Sequence, residues 1–398
     1  MAARVRFAAL DSWRGICALL VVLFHVSSVI SSSLEASIFI RNAYLFVDFF
    51  FVLSGFVLCH RYRGKISGRS DLRRFVIRRF ARVWPVHAFV LGLFLLAIIF
   101  IKHMPHPQDL ALTWNNNSYS VAAILPNMLL LNAFGLQESG WNGPAWRIGA
   151  EFYVYLLFAI VLIGVYRRFV VVCILLSVLA LAVIFWRAPD LMNSTWDYGA
   201  VRCVAGFFAG VVAYHGYERG RTCEPIRATL IEIAVVVVVI GFVICAGAGP
   251  DAVGVVSLAA PLVFGGAVIV FAREQGLFAL ALHAKPFEAL GRYSFSIYLI
   301  HQPLLILFCY CAWLAGYETK AFVGDGGGLT MQSPDLILAD LVFAVVFVAA
   351  GVHRFIELPA RRRLNRFADR RSVPDAGTSG VPAFAFARRR RATIRDRA

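Results

Sequence analysis

Arg14, His25, Asp48 and Glu151 are the ionisable side chains whose apolar settings point to chemistry. Arg14 and His25 bracket Gly15-Ile16-Cys17-Ala18-Leu19-Leu20-Val21-Val22-Leu23-Phe24, where every residue is apolar or glycine. Asp48 lies in Phe46-Val47-Asp48-Phe49-Phe50-Phe51-Val52-Leu53-Ser54-Gly55-Phe56, and Glu151 in Trp146-Arg147-Ile148-Gly149-Ala150-Glu151-Phe152-Tyr153. The interval from Arg14 to His25 is just over three helical turns, so the two share one face and stand roughly 16 Å apart along the axis. Histidine titrates near neutrality and is a natural general base, and a carboxylate can orient it and stabilise its charged form. An arginine at one end of such a helix suits an interface, whereas a histidine deep inside it is costly and points to function.

A second group is basic. In Arg78-Arg79-Phe80-Ala81-Arg82-Val83-Trp84-Pro85, Arg79 and Arg82 share a face if the segment is helical. With Arg14 they can hold a polyanion such as a nucleotide diphosphate through charge-assisted bonds. The plainer reading of most arginines nearby is topogenic charge against lipid headgroups. Further along, Tyr293-Ser294-Phe295-Ser296-Ile297-Tyr298-Leu299-Ile300-His301-Gln302-Pro303-Leu304 places a histidine near mid-membrane beside a proline whose missing N–H can open the backbone toward a cavity. His301, Ser296 and Trp146 are candidates for a substrate path; for His301 a plain helix–helix hydrogen bond is the alternative. Arg147 and Arg202 can neutralise Asp48 or Glu151 structurally.

The elements that must position these residues are membrane helices. The chain has 398 residues, 60% hydrophobic and 16% charged, with a mean hydropathy of +0.73. Repeated apolar runs define an all-α, polytopic integral membrane protein. Ten transmembrane helices are expected, over about 8–32, 43–60, 84–101, 145–165, 169–186, 199–215, 228–247, 254–272, 293–315 and 335–357. The net charge of +16 is concentrated in alternate loops. The segment between the second and third spans carries nine basic residues from Arg61 to Arg82 against Asp71 alone, whereas 102–144 carries only Lys102 before Trp146. The positive-inside rule places both termini in the cytoplasm. With that orientation, His25, Asp48 and Glu151 lie five to seven residues below the outer ends of their spans, so a shared level and a proton-handling site are expected.

The remaining features are plainer. The first span lacks a small-x-small cleavage site and reads as a retained helix. Seven of eight cysteines fall in or at the ends of apolar segments, and no spacing suggests zinc or any other metal. In the long outer loop 102–144, which holds His103, His106 and Asn115-Asn116-Asn117-Ser118-Tyr119-Ser120, the apolar piece 121–134 is too short for a span and reads as re-entrant or interfacial. Residues 1–358 form one membrane domain. Residues 359–398, with Arg388–Arg391 near the end, are expected to be a disordered cytoplasmic tail lying on anionic lipid; nucleic acid is not an expected partner.

Together these motifs resemble the membrane-bound acyltransferase 3 family. The resemblance rests on Arg14 with His25, the Val47–Phe56 stretch, Arg79 and Arg82 before Pro85, the Trp146–Tyr153 segment with Glu151, and Tyr293–His301, in that order. It implies a ten-helix enzyme of the bacterial inner membrane that moves an acyl group, usually acetyl, from cytoplasmic acyl-CoA to a hydroxyl. Acceptors implied are mostly glycans: lipopolysaccharide, exopolysaccharide or related oligosaccharides. Acyl-CoA enters as co-substrate and no cofactor is expected to be permanently bound. The implied roles are His25 as general base with Asp48 or Glu151 as its orienting partner, and Arg14, Arg79 and Arg82 on the coenzyme phosphates; direct transfer and an acyl-histidine intermediate both stay open. The competing reading is a proton-coupled transporter, since intramembrane His, Asp and Glu also build proton relays.

Overall fold

The computed structural model describes residues 6–66, 68–105, 121–136, 141–220, 222–247, 252–317 and 333–370. Among them the regular secondary structure is helical. The principal helices are α1 (Ala8–Ser27), α2 (Phe46–Tyr62), α3 (Arg69–Lys102), α4 (Trp146–Gly164), α5 (Phe169–Arg187), α6 (Gly199–Arg219), α7 (Pro225–Cys245), α8 (Ala260–Phe271), α9 (Lys285–Leu314), α10 (Pro334–Val352) and α11 (Leu358–Arg370). Among the described residues, eight helices are long and apolar enough to cross a membrane. The other two expected spans differ in kind. α6 has the length, but Arg202 and its glycines lower its apolarity, and Val255–Phe271 is apolar but shorter.

Two close helix pairs organise the bundle. A side chain on Gly210 of α6 would run into the Val52 carbonyl of α2, and one on Gly55 of α2 into the Phe207 carbonyl of α6. Likewise, Gly15 of α1 meets the Leu290 backbone of α9, and Gly291 meets the Asp11 carbonyl. Small residues let helix backbones approach where lipid offers no hydrophobic drive for association. The α1–α9 pair runs parallel: Arg14 bonds to Gly291 and Ser294 at one end, and His25 faces His301 toward the other.

Two expectations change. The basic segment before the third span is helix rather than loop, and α3 runs unbroken from Arg69 through Pro85 to Lys102. Leu72, Phe75, Val76 and Arg79 recur at helical spacing and turn inward, with Phe75 and Arg79 buried. The tail expected to be disordered from residue 359 begins instead as α11, which packs along α3 and joins α10 through the π-helical turn His353–Glu357. Pro359 follows this turn directly, where the widened π-helical register lets the helix continue without its N–H. The Arg388–Arg391 run lies outside the described residues, as do His106 and Asn115–Ser120.

The segment 121–134 packs one face against the bundle, with Ala123, Asn127, Leu130 and Ala133 buried and Val121, Leu125 and Leu129 exposed. The Trp84 indole donates to the Met128 carbonyl at 3.1 Å, and the Tyr153 hydroxyl to that of Leu129 at 2.9 Å. Trp84 lies roughly 27 Å of helix before Lys102, so the segment dips well below that end of α3. Pro303 leaves the Leu299 carbonyl without its helical donor; the Asn142 side-chain amide takes that carbonyl at 3.1 Å. The Tyr298 hydroxyl donates to the Pro144 carbonyl at 2.9 Å. α4 therefore begins halfway along α9, inside the bundle.

Candidate active site

At the Arg14 end, α1, α2, α3, α9 and α11 enclose a cavity of about 910 Å³, adjoining a deeper one of about 360 Å³. Nine lysine and arginine side chains line the larger against three carboxylates. Arg14 is fixed there by three partners: Nε donates to the Ser294 hydroxyl at 2.9 Å, Nη2 to the Gly291 carbonyl at 2.9 Å, and Nη1 lies 3.3 Å from Asp11. The Arg82 guanidinium sits over the Phe295 ring at 5.9 Å, and Arg79 between the rings of Tyr62 and Tyr155 at 5.5 and 5.7 Å. Arg14, Arg79 and Arg82, read as one group from the sequence, thus surround one space. Arg78 and Arg361 join them. Sequence reasoning passed over both, although Arg78 lies one turn from Arg82; Arg361 lay in a segment expected to be disordered.

Glu151 forms part of the deeper cavity. Its Oε1 accepts from the hydroxyls of Ser54 and Tyr155, and its Oε2 lies 3.6 Å from Arg147 Nη1. The Arg147 guanidinium is held between the Phe50 and Tyr298 rings, at 4.5 and 4.4 Å from their centroids. Beyond Tyr298 the contacts lead to the histidines: the Tyr298 and His301 rings are 5.9 Å apart, and those of His301 and His25 are 4.9 Å apart.

His25 Nδ1 lies 2.8 Å from the Val21 carbonyl. A carbonyl only accepts, so Nδ1 carries the proton and the neutral ring presents Nε2 as a lone pair. His301 is 1% exposed, and neither of its ring nitrogens meets a partner in hydrogen-bonding geometry. Two imidazoles thus face each other with no carboxylate bonded to either.

The expected partners of His25 are engaged elsewhere. Asp48, fully buried, receives Arg202 Nε at 3.0 and 3.2 Å and Nη2 at 2.8 Å. Arg202 spends its other donors on the carbonyls of Ser194 and Tyr44. Glu151 bonds to Ser54, which is roughly 9 Å further along α2 than Asp48, so the two carboxylates do not share a level. The cause is the sunken start of α4; counting inward from a common membrane plane misplaces its residues. Trp146 packs against Phe51, 6.0 Å between centroids, and beneath Arg202. The Ser296 hydroxyl donates to Glu357 at 3.0 Å, which also receives His353 at 2.9 Å. Neither Trp146 nor Ser296 lines the two cavities.

Comparisons with known proteins agree over most of the chain. An acyltransferase-domain family model matches residues 7–352. The acyltransferase MdmB of Streptomyces mycarofaciens is 26% identical over 372 residues, covering 84% of this chain and 85% of its own. Protein 2 in the picA locus of Rhizobium radiobacter is 34% identical over 163 residues, covering 39% of this chain and 81% of its own. No solved structure gives a significant match.

Proposed function

Because the chain belongs to the acyltransferase 3 family, we propose that this multi-pass membrane protein transfers an acyl group, most simply acetyl, from acyl-CoA to a hydroxyl of a glycan. In this reading ten helices cross the bacterial inner membrane, both termini are cytoplasmic, and the basic cavity opens to the cytoplasm. One observation carries the proposal: α9 grips Arg14 beside a highly basic cavity and, further along, holds His301 against His25. A long donor with phosphates at one end and a thioester at the other fits that separation. Arg14, Arg79 and Arg82, joined by Arg78 and Arg361, take the phosphates through charge-assisted bonds. His25 Nε2 accepts the acceptor hydroxyl's proton as that oxygen attacks the thioester carbon. The Val21 carbonyl, rather than Asp48 or Glu151, orients the ring. CoA leaves as the thiol with the proton that His25 returns.

The test is twofold. Purified protein incubated with radiolabelled acetyl-CoA and surface glycan from its host releases CoA and labels the glycan, and His25→Ala does not. Mass analysis of surface glycans from cells with and without the gene shows an acetyl-sized difference. Labelling by His25→Ala equal to wild type removes histidine from the reaction.

A further inference from the structure

Arg147, 5% exposed, is buried like Arg202 but is built differently. Every nitrogen of Arg202 has an oxygen partner. Arg147 has aromatic rings on both faces, from Phe50 and Tyr298, which leave only the edge of the guanidinium for hydrogen bonds. On that edge Nε and Nη1 are buried without a hydrogen-bond partner. Glu151 does not supply a hydrogen bond: its Oε2 forms an ion pair with Nη1 at 3.6 Å, longer than a hydrogen bond, and its other oxygen, Oε1, accepts the two hydroxyls of Ser54 and Tyr155. A buried donor left unsatisfied lowers stability, and the loss is larger for a charged group. Headgroup binding is excluded by the burial. The guanidinium lines the deeper cavity with Phe50, Ser54 and Tyr155, and its Tyr298 face leads through His301 to His25.

We propose that Arg147 is a catalytic residue that donates to the carbonyl oxygen of the acyl thioester and holds the negative charge developing there. The inference rests on the acyl-CoA reading above and adds the group that reading lacks. A phosphate is a poor occupant, since a fixed dianion would lie against the Glu151 carboxylate. A carbonyl is neutral on arrival and becomes anionic only during reaction, which is when a preorganised, water-poor donor acts most strongly. The acceptor oxygen bonds to the carbonyl carbon while its proton passes to His25 Nε2, and the carbonyl π pair moves to the oxygen against Arg147. The carbonyl then re-forms, the carbon–sulfur bond breaks, and the sulfur takes the proton from His25. The products are the ester and CoA thiol.

The test uses the full chain in lipid nanodiscs and two unreactive donors. S-(2-oxopropyl)-CoA keeps a carbonyl near the sulfur, and S-propyl-CoA has none. Calorimetric titration of wild type is expected to favour the ketone by roughly tenfold or more, the range for a hydrogen bond to a charged group. In Arg147→Met the preference vanishes while the affinity for S-propyl-CoA holds, which also shows that the site is folded. Arg147→Lys, which keeps the charge should the methionine variant fail to fold, is expected to lose most of the preference. With acetyl-CoA as substrate, kcat falls about 10²–10³-fold at unchanged KM. A wild type that binds both analogues equally, or a substituted protein that keeps the wild-type preference, overturns the role of Arg147 and leaves the acyl-CoA reading standing. A wild type that binds neither analogue overturns that reading, and this inference with it.

Discussion

The α1–α9 and α2–α6 pairs are made by the same device and end in opposite states. In each, glycines bring two helix backbones together, and in each an arginine and an ionisable partner residue are carried on the paired helices. On α2–α6 the contact closes over Asp48 and Arg202, which satisfy one another and the neighbouring carbonyls completely. On α1–α9 the contact ends at two facing imidazoles, one of them with no hydrogen-bond partner, and borders a basic cavity. A polar group that is buried and fully bonded maintains architecture; one that is buried and incompletely bonded is available to a ligand. The pairing pattern separates these roles where burial alone does not.

The comparison breaks or sharpens by substitution on each side. The largest effect is expected at His25: His25→Ala lowers the acyl-transfer rate by about 10²–10⁴-fold, the range for general acid–base catalysis, and leaves the thermal unfolding midpoint in detergent unchanged. An unfolding midpoint that drops with the rate would move His25 to the architectural side. Next comes Asp48→Ala, which strands the Arg202 charge and is expected to destabilise the fold by about 3–5 kcal/mol. Denaturant titration followed by tryptophan fluorescence reads this, and Asp48→Leu combined with Arg202→Met restores much of the loss. If Asp48→Ala instead folds like wild type and is merely inactive, the division between the pairs is wrong. Arg82→Ala is expected to weaken acyl-CoA binding about tenfold, by loss of a charge-assisted phosphate contact, and to flatten its salt dependence; calorimetry at two ionic strengths measures both. The smallest effect belongs to Ser54→Ala, which removes one of two hydroxyls on Glu151 and is expected to destabilise by about 1 kcal/mol in the same denaturant titration.

The sequence made the membrane helices legible because hydropathy is a local property. The grouping of Arg14, Arg79 and Arg82 was legible because each stands on a helix whose pitch sets its direction. What one helix cannot reveal is the partner it meets. Arg202 lies far along the chain from Asp48, and only the glycine contact of α2 with α6 brings them together. The level of Glu151 was misread because α4 starts inside the bundle rather than at its edge, which depends on bonds from Tyr298 and Asn142 to its approach. The charge of residues 358–370 masked a helix because arginines on a surface face and arginines in a solvated tail have the same composition. The pairing of His25 with His301 needed the register of α1 against α9, which Gly15 and Gly291 set through backbone contact.

Pro303 carries a consequence for how the molecule could be re-engineered. Its imino nitrogen vacates the Leu299 carbonyl, and Asn142 occupies the vacancy. Replacing Pro303 with alanine would return a rival donor to the same oxygen, and the helix would compete with the loop for it. A residue usually regarded as a helix defect is here what reserves a berth for the polypeptide entering α4, two residues from His301. The irregularity in one element is the attachment point of another.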